Sequence, residues 1–299
     1  MSAPNSEIPF ANLALRRRVR NRSAAKHGQV SFFSEEIAGR MFERLDYIKQ
    51  EPRVILDLNC GLGATSAILA KRFPEAMVVQ LDPALELLQK LSSAKTLPKK
   101  LLMWFGKSSA RVCGEANALP IASRSVDFAW SNLFALSHDA PAIIRELKRV
   151  LKPGGLLMLS TLGPDTLKEL RAAFSQVDAL THIQPQVDMH DLGDMLAHEG
   201  FTTPVADMEM ITLTYPTLKT LAHDLRAAGA THVERERRPT LMGKTRWAAV
   251  ERAYEATRRE GRLPVTFEII YLHAWRGVER KSADGRQIIQ FEALKQKKS

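Results

Sequence analysis

Two acidic residues and two glycines are spaced in a way that suits nucleoside binding. Asp57 lies in a short apolar run, Gly61 and Gly63 follow it, and Asp82 ends a second apolar run roughly 20 positions after the turn. Only glycine lets a backbone approach a ligand closely, and an acid at the end of the second strand can accept both hydroxyls of a ribose. The spacing therefore predicts a nucleoside site where two parallel strands end.

The glycine turn differs from that of a dinucleotide-binding protein. Such a protein needs G-x-G-x-x-G, whereas Ser66 occupies the position of the third glycine here. Asp57, before the turn, suits a ligand that carries an ammonium and a sulfonium group instead of two phosphates. The pattern D-x-x-x-G-x-G with an acid on the second strand resembles the S-adenosylmethionine-dependent methyltransferases of the Rossmann-like class.

Three later segments extend this resemblance. Residues 114–120 resemble the segment that contacts adenine, residues 125–132 resemble the fourth strand, and residues 147–160 resemble the helix, K-P-G-G turn and fifth strand of that class. The resemblance implies S-adenosyl-L-methionine as the cofactor. It implies that the following residues bind this cofactor: Asp57, Asn59, Gly61, Gly63, Asp82, Glu115, Ala116 and Asn132.

The elements that must position these residues alternate between strands and helices, which indicates a parallel sheet covered by helices. The predicted strands are residues 54–58, 77–81, 111–113, 126–131, 156–161, 208–215 and 265–275. The predicted helices are residues 35–48, 64–72, 84–91, 140–151, 165–174, 191–198, 218–228 and 246–259. The predicted fold is therefore a doubly wound, Rossmann-like α/β fold with a mostly parallel seven-stranded sheet, and a helical cap at about residues 217–264 precedes the last strand.

The domain organisation follows from these elements and from the charge. We expect a basic N-terminal arm and helix over residues 1–50, a methyltransferase domain over residues 51–277, and a basic flexible tail over residues 278–299. The formal net charge of +10 is concentrated in the arm, in residues 235–246 and in the tail. Such a distribution indicates an anionic partner.

Several classes of protein are disfavoured by the sequence. No apolar run approaches the roughly 20 residues of a membrane span, and residues 1–10 lack the apolar core of a secretory signal, so a cytoplasmic protein without a membrane partner is expected. Cys60 and Cys113 are far apart and have no histidine at metal-ligand spacing, so no metal site is predicted.

Three segments carry a more specific resemblance. Residues 159–170, residues 224–232 and the late strand at 265–275 resemble the malonyl-acyl-carrier-protein O-methyltransferases of biotin synthesis, and the likeness runs from about residue 16 to 275. It implies methylation of the free carboxylate of a malonyl thioester on an acyl carrier protein. Acyl carrier proteins are strongly acidic, so the positive arm and cap are expected to form a docking surface. The cap residues expected to bind this partner are Arg235, Arg237, Arg238, Lys244 and Arg246.

The sequence departs from the family pattern around one pocket. Asn59 replaces the first glycine of the family motif, and alignment of the arm places His27, our candidate catalytic residue, where the family has a tyrosine that holds the methyl-accepting group. The family's Gln-Trp or His-Trp pair after Asn132 is absent from residues 133–138. These departures leave open the alternative of a diverged, inactive member that acts as a binding or assembly factor.

A nucleic-acid methyltransferase is a less favoured alternative. Enzymes that methylate base amines generally carry two prolines after the fourth strand, and residues 131–134 contain none. No RNA-binding module with interleaved aromatic residues is present either. The positive charge is therefore assigned to an acidic protein partner instead of nucleic acid.

Overall fold

The computed structural model of the chain describes residues 13–23, 28, 30–93, 109–134, 139–233 and 240–278. Within these residues the helices are α1 Leu13–Ser23, α2 Ser31–Leu45, α3 Ala64–Arg72, α4 Leu85–Ser93, α5 Ala140–Val150, α6 Lys168–Ser175, α7 Met189–His198, α8 Leu218–Ala227 and α9 Lys244–Glu255. The strands are β1 Val54–Leu58, β2 Met77–Asp82, β3 Ala110–Cys113, β4 Val126–Ser131, β5 Leu151–Leu162, β6 Phe201–Tyr215 and β7 Leu263–Arg276.

The strands form a seven-stranded sheet in the order β3-β2-β1-β4-β5-β7-β6. Strands β1 to β5 pair in parallel, whereas β7 is antiparallel to both β5 and β6. Because the strand order reverses between β1 and β4, a crevice opens at their carboxyl ends, where ligands bind in such sheets. The predicted fold class is confirmed, and α8 and α9 lie between β6 and β7, where the helical cap was expected.

Side chains of the sheet alternate between two hydrophobic layers, as the pleat of a strand requires. Leu56 and Leu58 of β1 pack in one layer, with apolar residues of α5 and α7. Ile55 of the same strand packs in the other layer, with apolar residues of α2, α6, α8 and α9. The cap is therefore part of the core on one face of the sheet.

Some predicted element boundaries are wrong. The sixth strand begins at Phe201 instead of residue 208, because it pairs with β7 along its length, from Phe201 opposite Arg276 to Tyr215 opposite Leu263. After the buried Phe201 this first half is mostly exposed and contains Pro204, so it lacks the apolar alternation of a typical strand. Helix α6 begins at Lys168 instead of residue 165, because Leu167 has a left-handed backbone with φ of 59°.

The K-P-G-G segment at residues 152–155 was predicted to precede the fifth strand, but it lies inside β5. Val126 of β4 pairs with Leu151, and the register shifts before Phe128. Gly154 has φ of 77°, a conformation that glycine adopts without strain. The segment is thus an irregularity within the strand.

The N-terminal arm contains a helix that the sequence analysis did not predict. Helix α1 is rich in arginine and has little apolar periodicity, and its partners are acids distant in sequence. The next helix, α2, covers Ser31–Leu45 instead of residues 35–48.

His27, Arg235, Arg237 and Arg238 lie outside the described residues, as does the tail from residue 279. The division into arm, domain and tail therefore stays a prediction. Among the described helices, none combines the length and apolar character that a membrane crossing requires.

Candidate cofactor and acceptor site

The turn after β1 has the backbone conformation that its glycines predict. Asn59, Gly61 and Gly63 have φ values of 65°, 56° and 75°. The amides of Asn59 and Cys60 donate hydrogen bonds to the carbonyl oxygen of Leu81, at 2.7 and 3.1 Å, which ties the turn to β2. Asparagine enters the left-handed region more readily than most residues, so Asn59 adopts a backbone conformation that glycine favours.

The turn is also packed closely against its neighbours. A Cβ atom on Gly63 would lie 2.5 Å from a methyl carbon of Leu91 and 3.1 Å from the side-chain nitrogen, Nε2, of Gln80. Glycine at this position therefore serves both the backbone conformation and the approach of α4.

Asp57 connects β1 to the start of α3, on the other side of the turn. Its buried carboxylate accepts hydrogen bonds from the hydroxyls of Thr65 and Ser66, at 2.9 and 2.5 Å, in the first turn of α3. Burial raises the pKa of Asp57 to about 6, although these two hydrogen bonds act in the opposite direction. Because this carboxylate bonds to α3, direct contact between Asp57 and a cofactor stays a prediction.

Asp82 is the acid at the centre of the crevice, and its side chain is fully buried. It accepts hydrogen bonds from the amides of Gly61 and Ala84, at 3.1 and 2.9 Å. The guanidinium of Arg20 donates two more, from Nε to Oδ1 at 2.9 Å and from Nη2 to Oδ2 at 2.6 Å. Burial lowers the pKa of Arg20, but the charge and hydrogen bonds of Asp82 outweigh that effect, so the pKa of Arg20 is raised.

The same arrangement tests whether a nucleoside fits here. Two donors side by side on one carboxylate are what the two hydroxyls of a ribose would present, and the Arg20 guanidinium now supplies both. Glycine backbone and a carboxylate with two accepting oxygens therefore suit an adenosine ligand, provided that Arg20 moves away from Asp82.

Two further arginines of α1 contact acids near the crevice. Arg17 forms an ion pair with Glu115, which is buried beside Ala116, and Arg16 forms one with Asp139 at 2.8 Å. Arg16, Arg17 and Arg20 of the arm therefore bind acids of the chain itself. The expected docking role of the arm stays a prediction.

A chamber of about 210 Å³ begins beside Glu115 and continues under the cap. Arg20, Asn59, Glu115 and Ala116 line one end, and the other end is mostly apolar. Its volume is below the range of roughly 300 to 1,000 Å³ that small-molecule sites have. Displacement of Arg20 would enlarge the chamber at the acids, where the cofactor is expected.

The remaining predicted site residues have other positions. The amide of Asn132 donates to the backbone oxygen of Ser34 at 2.7 Å, and its oxygen accepts from the hydroxyl of Ser160 at 2.9 Å. Asn132 thus connects the end of β4 to α2 and β5. Lys244 and Arg246 are exposed at the start of α9, where a partner could reach them.

Sequence reasoning missed some residues of this chamber, including Arg16, Arg20, Phe174 and His182. The arginines were noted only as positive charge, since α1 was not predicted. Their spacing is a usable signal, because residues 16, 17 and 20 share one side of a helix. No sequence signal pointed to Phe174 or His182.

Comparisons with known proteins agree on the class. The family model described as "Methyltransferase domain" matches residues 56–159. A malonyl-[acyl-carrier protein] O-methyltransferase of Laribacter hongkongensis is 44% identical over 276 residues, which cover 91% of this chain and 93% of that protein. One of the same name from Gallionella capsiferriformans is 45% identical over 270 residues, covering 90% and 92%.

Solved structures agree on the fold. The YcgJ protein of Bacillus subtilis matches with a TM-score of 0.54 and 14% identity, covering 82% of this chain and 99% of that chain. A putative methyltransferase of Bacillus halodurans matches with a TM-score of 0.54 and 15% identity, covering 81% and 99%. At these identities the likeness concerns the fold alone.

Proposed function

The chain belongs to the family of the malonyl-[acyl-carrier protein] O-methyltransferases, and from that membership we propose that it methylates the free carboxylate of malonyl-acyl carrier protein in biotin precursor synthesis. The observation that carries the proposal is the crevice in which Asp82 and Glu115 are buried beside a glycine turn. In this pathway the methyl ester would mask the carboxylate, so that the acyl chain can enter fatty-acid elongation.

The cofactor is S-adenosyl-L-methionine, which supplies a methyl group on a positively charged sulfur that leaves as a neutral thioether. We assign the ribose to Asp82 and the adenine to Glu115 and Ala116, because these residues line or adjoin one end of the chamber. Asn59 and Gly61 present the left-handed backbone over which the rest of the ligand would lie.

The chain itself has little proton chemistry to perform. A malonyl carboxylate is already ionised at neutral pH, so it attacks without a general base, and the protein's task is to align the reactants and exclude water. The apolar walls of the chamber and the position of α1 over the crevice suit that task. A catalytic dyad is not required.

The acidic carrier protein would dock on the positive face of the cap. Lys244 and Arg246 are exposed there, and Arg235, Arg237 and Arg238 lie close in sequence. Complementary charge raises the rate of encounter more than the affinity. Since the substrate is a carrier protein of fatty-acid synthesis, we place the reaction in the cytoplasm.

The two alternatives from the sequence gain no support from the relatives. They are named as methyltransferases of malonyl-acyl carrier protein, and neither an assembly factor nor a nucleic-acid methyltransferase is among the names reported above. The departure at Asn59 also keeps the required backbone conformation.

A methyl-transfer assay with matched acceptors tests the proposal. Purified protein is incubated with S-adenosylmethionine labelled in its methyl group and with either malonyl- or acetyl-acyl carrier protein. We expect label on the malonyl form only, in a base-labile ester, because acetyl lacks the free carboxylate. Equal labelling of both forms, or labelling of neither, would contradict the proposal.

A further inference from the structure

A groove of about 600 Å³ adjoins the chamber near the end of α6. It shares four wall residues with the chamber, namely Phe174, His182, Ile183 and Gln186. A single layer of side chains therefore separates the groove from the chamber. This layer lies among the apolar residues beyond the acids at which the cofactor is expected.

The central part of this layer is a stacked pair. The rings of Phe174 and His182 are 4.1 Å apart between centroids and 9° from parallel. His182 Nε2 lies 2.7 Å from Oδ1 of Asp178, and both side chains are mostly buried, with exposed fractions of 10% and 15%. The stacking fixes the plane of the imidazole ring, and Asp178 fixes one of its nitrogens.

We propose that this layer is the acceptor site: His182 binds the carboxylate of the malonyl group, and the groove holds the phosphopantetheine arm of the carrier protein that bears it. The inference rests on the proposed function. An imidazolium ring donates a hydrogen bond from each of its two nitrogens. One nitrogen would then bind Asp178 and the other the acceptor.

The other basic side chains of the chamber are not part of the groove wall. They are Arg16, Arg20 and His232. Arg16 also binds Asp139 at the cofactor end. Among the described residues, His182 is therefore the basic side chain that a carboxylate arriving through the groove would meet in the shared wall.

Two groove residues suit the chemistry of the arm. The side-chain oxygen of Gln186 is buried and has no hydrogen-bond partner among the described residues, while its nitrogen donates to the backbone oxygen of Gln184 at 3.1 Å. An amide N–H of the arm would satisfy that oxygen. Arg171 is exposed in the groove wall and gives one hydrogen bond to the backbone oxygen of Thr166, which leaves guanidinium donors for a phosphate.

The decisive experiment measures binding and not turnover. Dissociation constants of malonyl- and acetyl-acyl carrier protein are measured in the presence of S-adenosylhomocysteine for the wild type and for His182→Gln. We expect the wild type to prefer the malonyl form and His182→Gln to lose this preference about tenfold, with acetyl binding unchanged. A residue that only supported the fold would weaken both ligands alike.

A matched control exists elsewhere in the chain. His190 also pairs with an aspartate, Asp188, at 3.0 Å, but it is exposed and belongs to neither the chamber nor the groove. We expect His190→Gln to keep the full preference. If His182→Gln does not fold, Asp178→Asn serves instead, and we expect a smaller loss of preference in the same direction.

The arm is tested separately with Ala179→Trp, which places a large side chain in the groove. We expect weaker binding of both carrier-protein forms and unchanged affinity for S-adenosylmethionine. Unchanged carrier-protein binding in this variant, or full malonyl preference in a folded His182→Gln, would overturn the acceptor site. If the wild type methylates malonyl-acyl carrier protein in either of these cases, the proposed function still stands; if the wild type neither binds nor methylates it, both proposals fail.

Discussion

The guanidinium of Arg20 and the carboxylate of Asp82 are 62 positions apart in sequence and are joined by two hydrogen bonds, of 2.9 and 2.6 Å. The same arginine lies 3.3 Å from the backbone oxygen of Asn59, at the turn itself. Helix α1 therefore reaches directly into the crevice assigned to the cofactor. With the ribose assigned to Asp82 as proposed, ligand and arginine would compete for one carboxylate, and this competition can be measured.

Removal of the competitor should tighten cofactor binding. In Arg20→Ala, Asp82 is open to the ribose, so we expect the dissociation constant of S-adenosylmethionine to fall by about three- to tenfold in isothermal titration, which corresponds to the net value of one hydrogen bond. Arg18→Ala, an exposed change in the same helix, should leave it unaltered. Weaker binding in Arg20→Ala would mean that this arginine contacts the bound cofactor.

Loss of the carboxylate should have the opposite effect. Asp82→Asn exchanges one accepting oxygen for a donor, so cofactor binding should weaken by about 1 to 3 kcal/mol. The control is Asp207→Asn, which alters another aspartate–arginine pair, with Arg44, on the exposed strand β6. If Asp82→Asn bound S-adenosylmethionine with the affinity of the wild type, the ribose assignment would be incorrect.

Two glycine substitutions should change stability in opposite directions. Gly63→Ala forces a side chain into a left-handed backbone with φ of 75° and to within 2.5 Å of Leu91, so it should destabilise the chain by at least about 1 kcal/mol. Gly39→Ala, inside α2, meets no described atom within 4 Å and should stabilise it by about 0.5 to 1 kcal/mol. The free energy of unfolding of both variants is measured in urea. An unchanged value for Gly63→Ala would contradict the close packing of the turn.

The buried carboxylate of Asp57 should make stability depend on pH. Its pKa is raised to about 6 in the folded chain, against about 3.9 in an unfolded one, so between these values the folded state binds more protons and stability falls as pH rises. Asp57→Asn does not titrate there. We therefore expect its stability relative to the wild type to improve by about 2 kcal/mol from pH 4 to pH 7, since one pKa unit corresponds to about 1.4 kcal/mol. A constant difference across this range would contradict the raised pKa.

Charge on the cap should control encounter with the carrier protein. Reversal of Lys244 and Arg246 to glutamate should slow association by about tenfold at low salt and reduce its dependence on ionic strength. Lys49→Glu combined with Lys71→Glu, an equal change of charge at exposed residues outside the cap, should have a much smaller effect. An unchanged association rate would place the docking surface elsewhere.

Much of the fold could be predicted because its signals are local. The apolar runs of β1 and β4 and the helix α3 have the predicted bounds, and the glycines at 61 and 63 have the left-handed backbone that their type suggests. The first half of β6 could not be predicted, since its stability comes from pairing with β7 rather than from its own residues.

Only part of the site could be predicted, because only part of it depends on signals that are local in the sequence. The acid at 82 follows from its place at the end of a strand and the acid at 115 from the resemblance to the segment that contacts adenine, and both are buried. The acids that pair with Arg17 and Arg20 are 98 and 62 positions away, and the helical spacing of the arginines does not identify these partners. The stacking of His182 on Phe174 likewise depends on the path of the loop after α6.

The crevice at Asp82 as the cofactor site is the claim on which the rest depends, and a crystal structure with S-adenosylhomocysteine tests it most directly. We predict that the ribose hydroxyls bond to Asp82 and that the Arg20 guanidinium has moved away from this carboxylate. A structure in which the Arg20–Asp82 pair persists while the ligand binds elsewhere, or in which saturating ligand does not bind, would contradict the account.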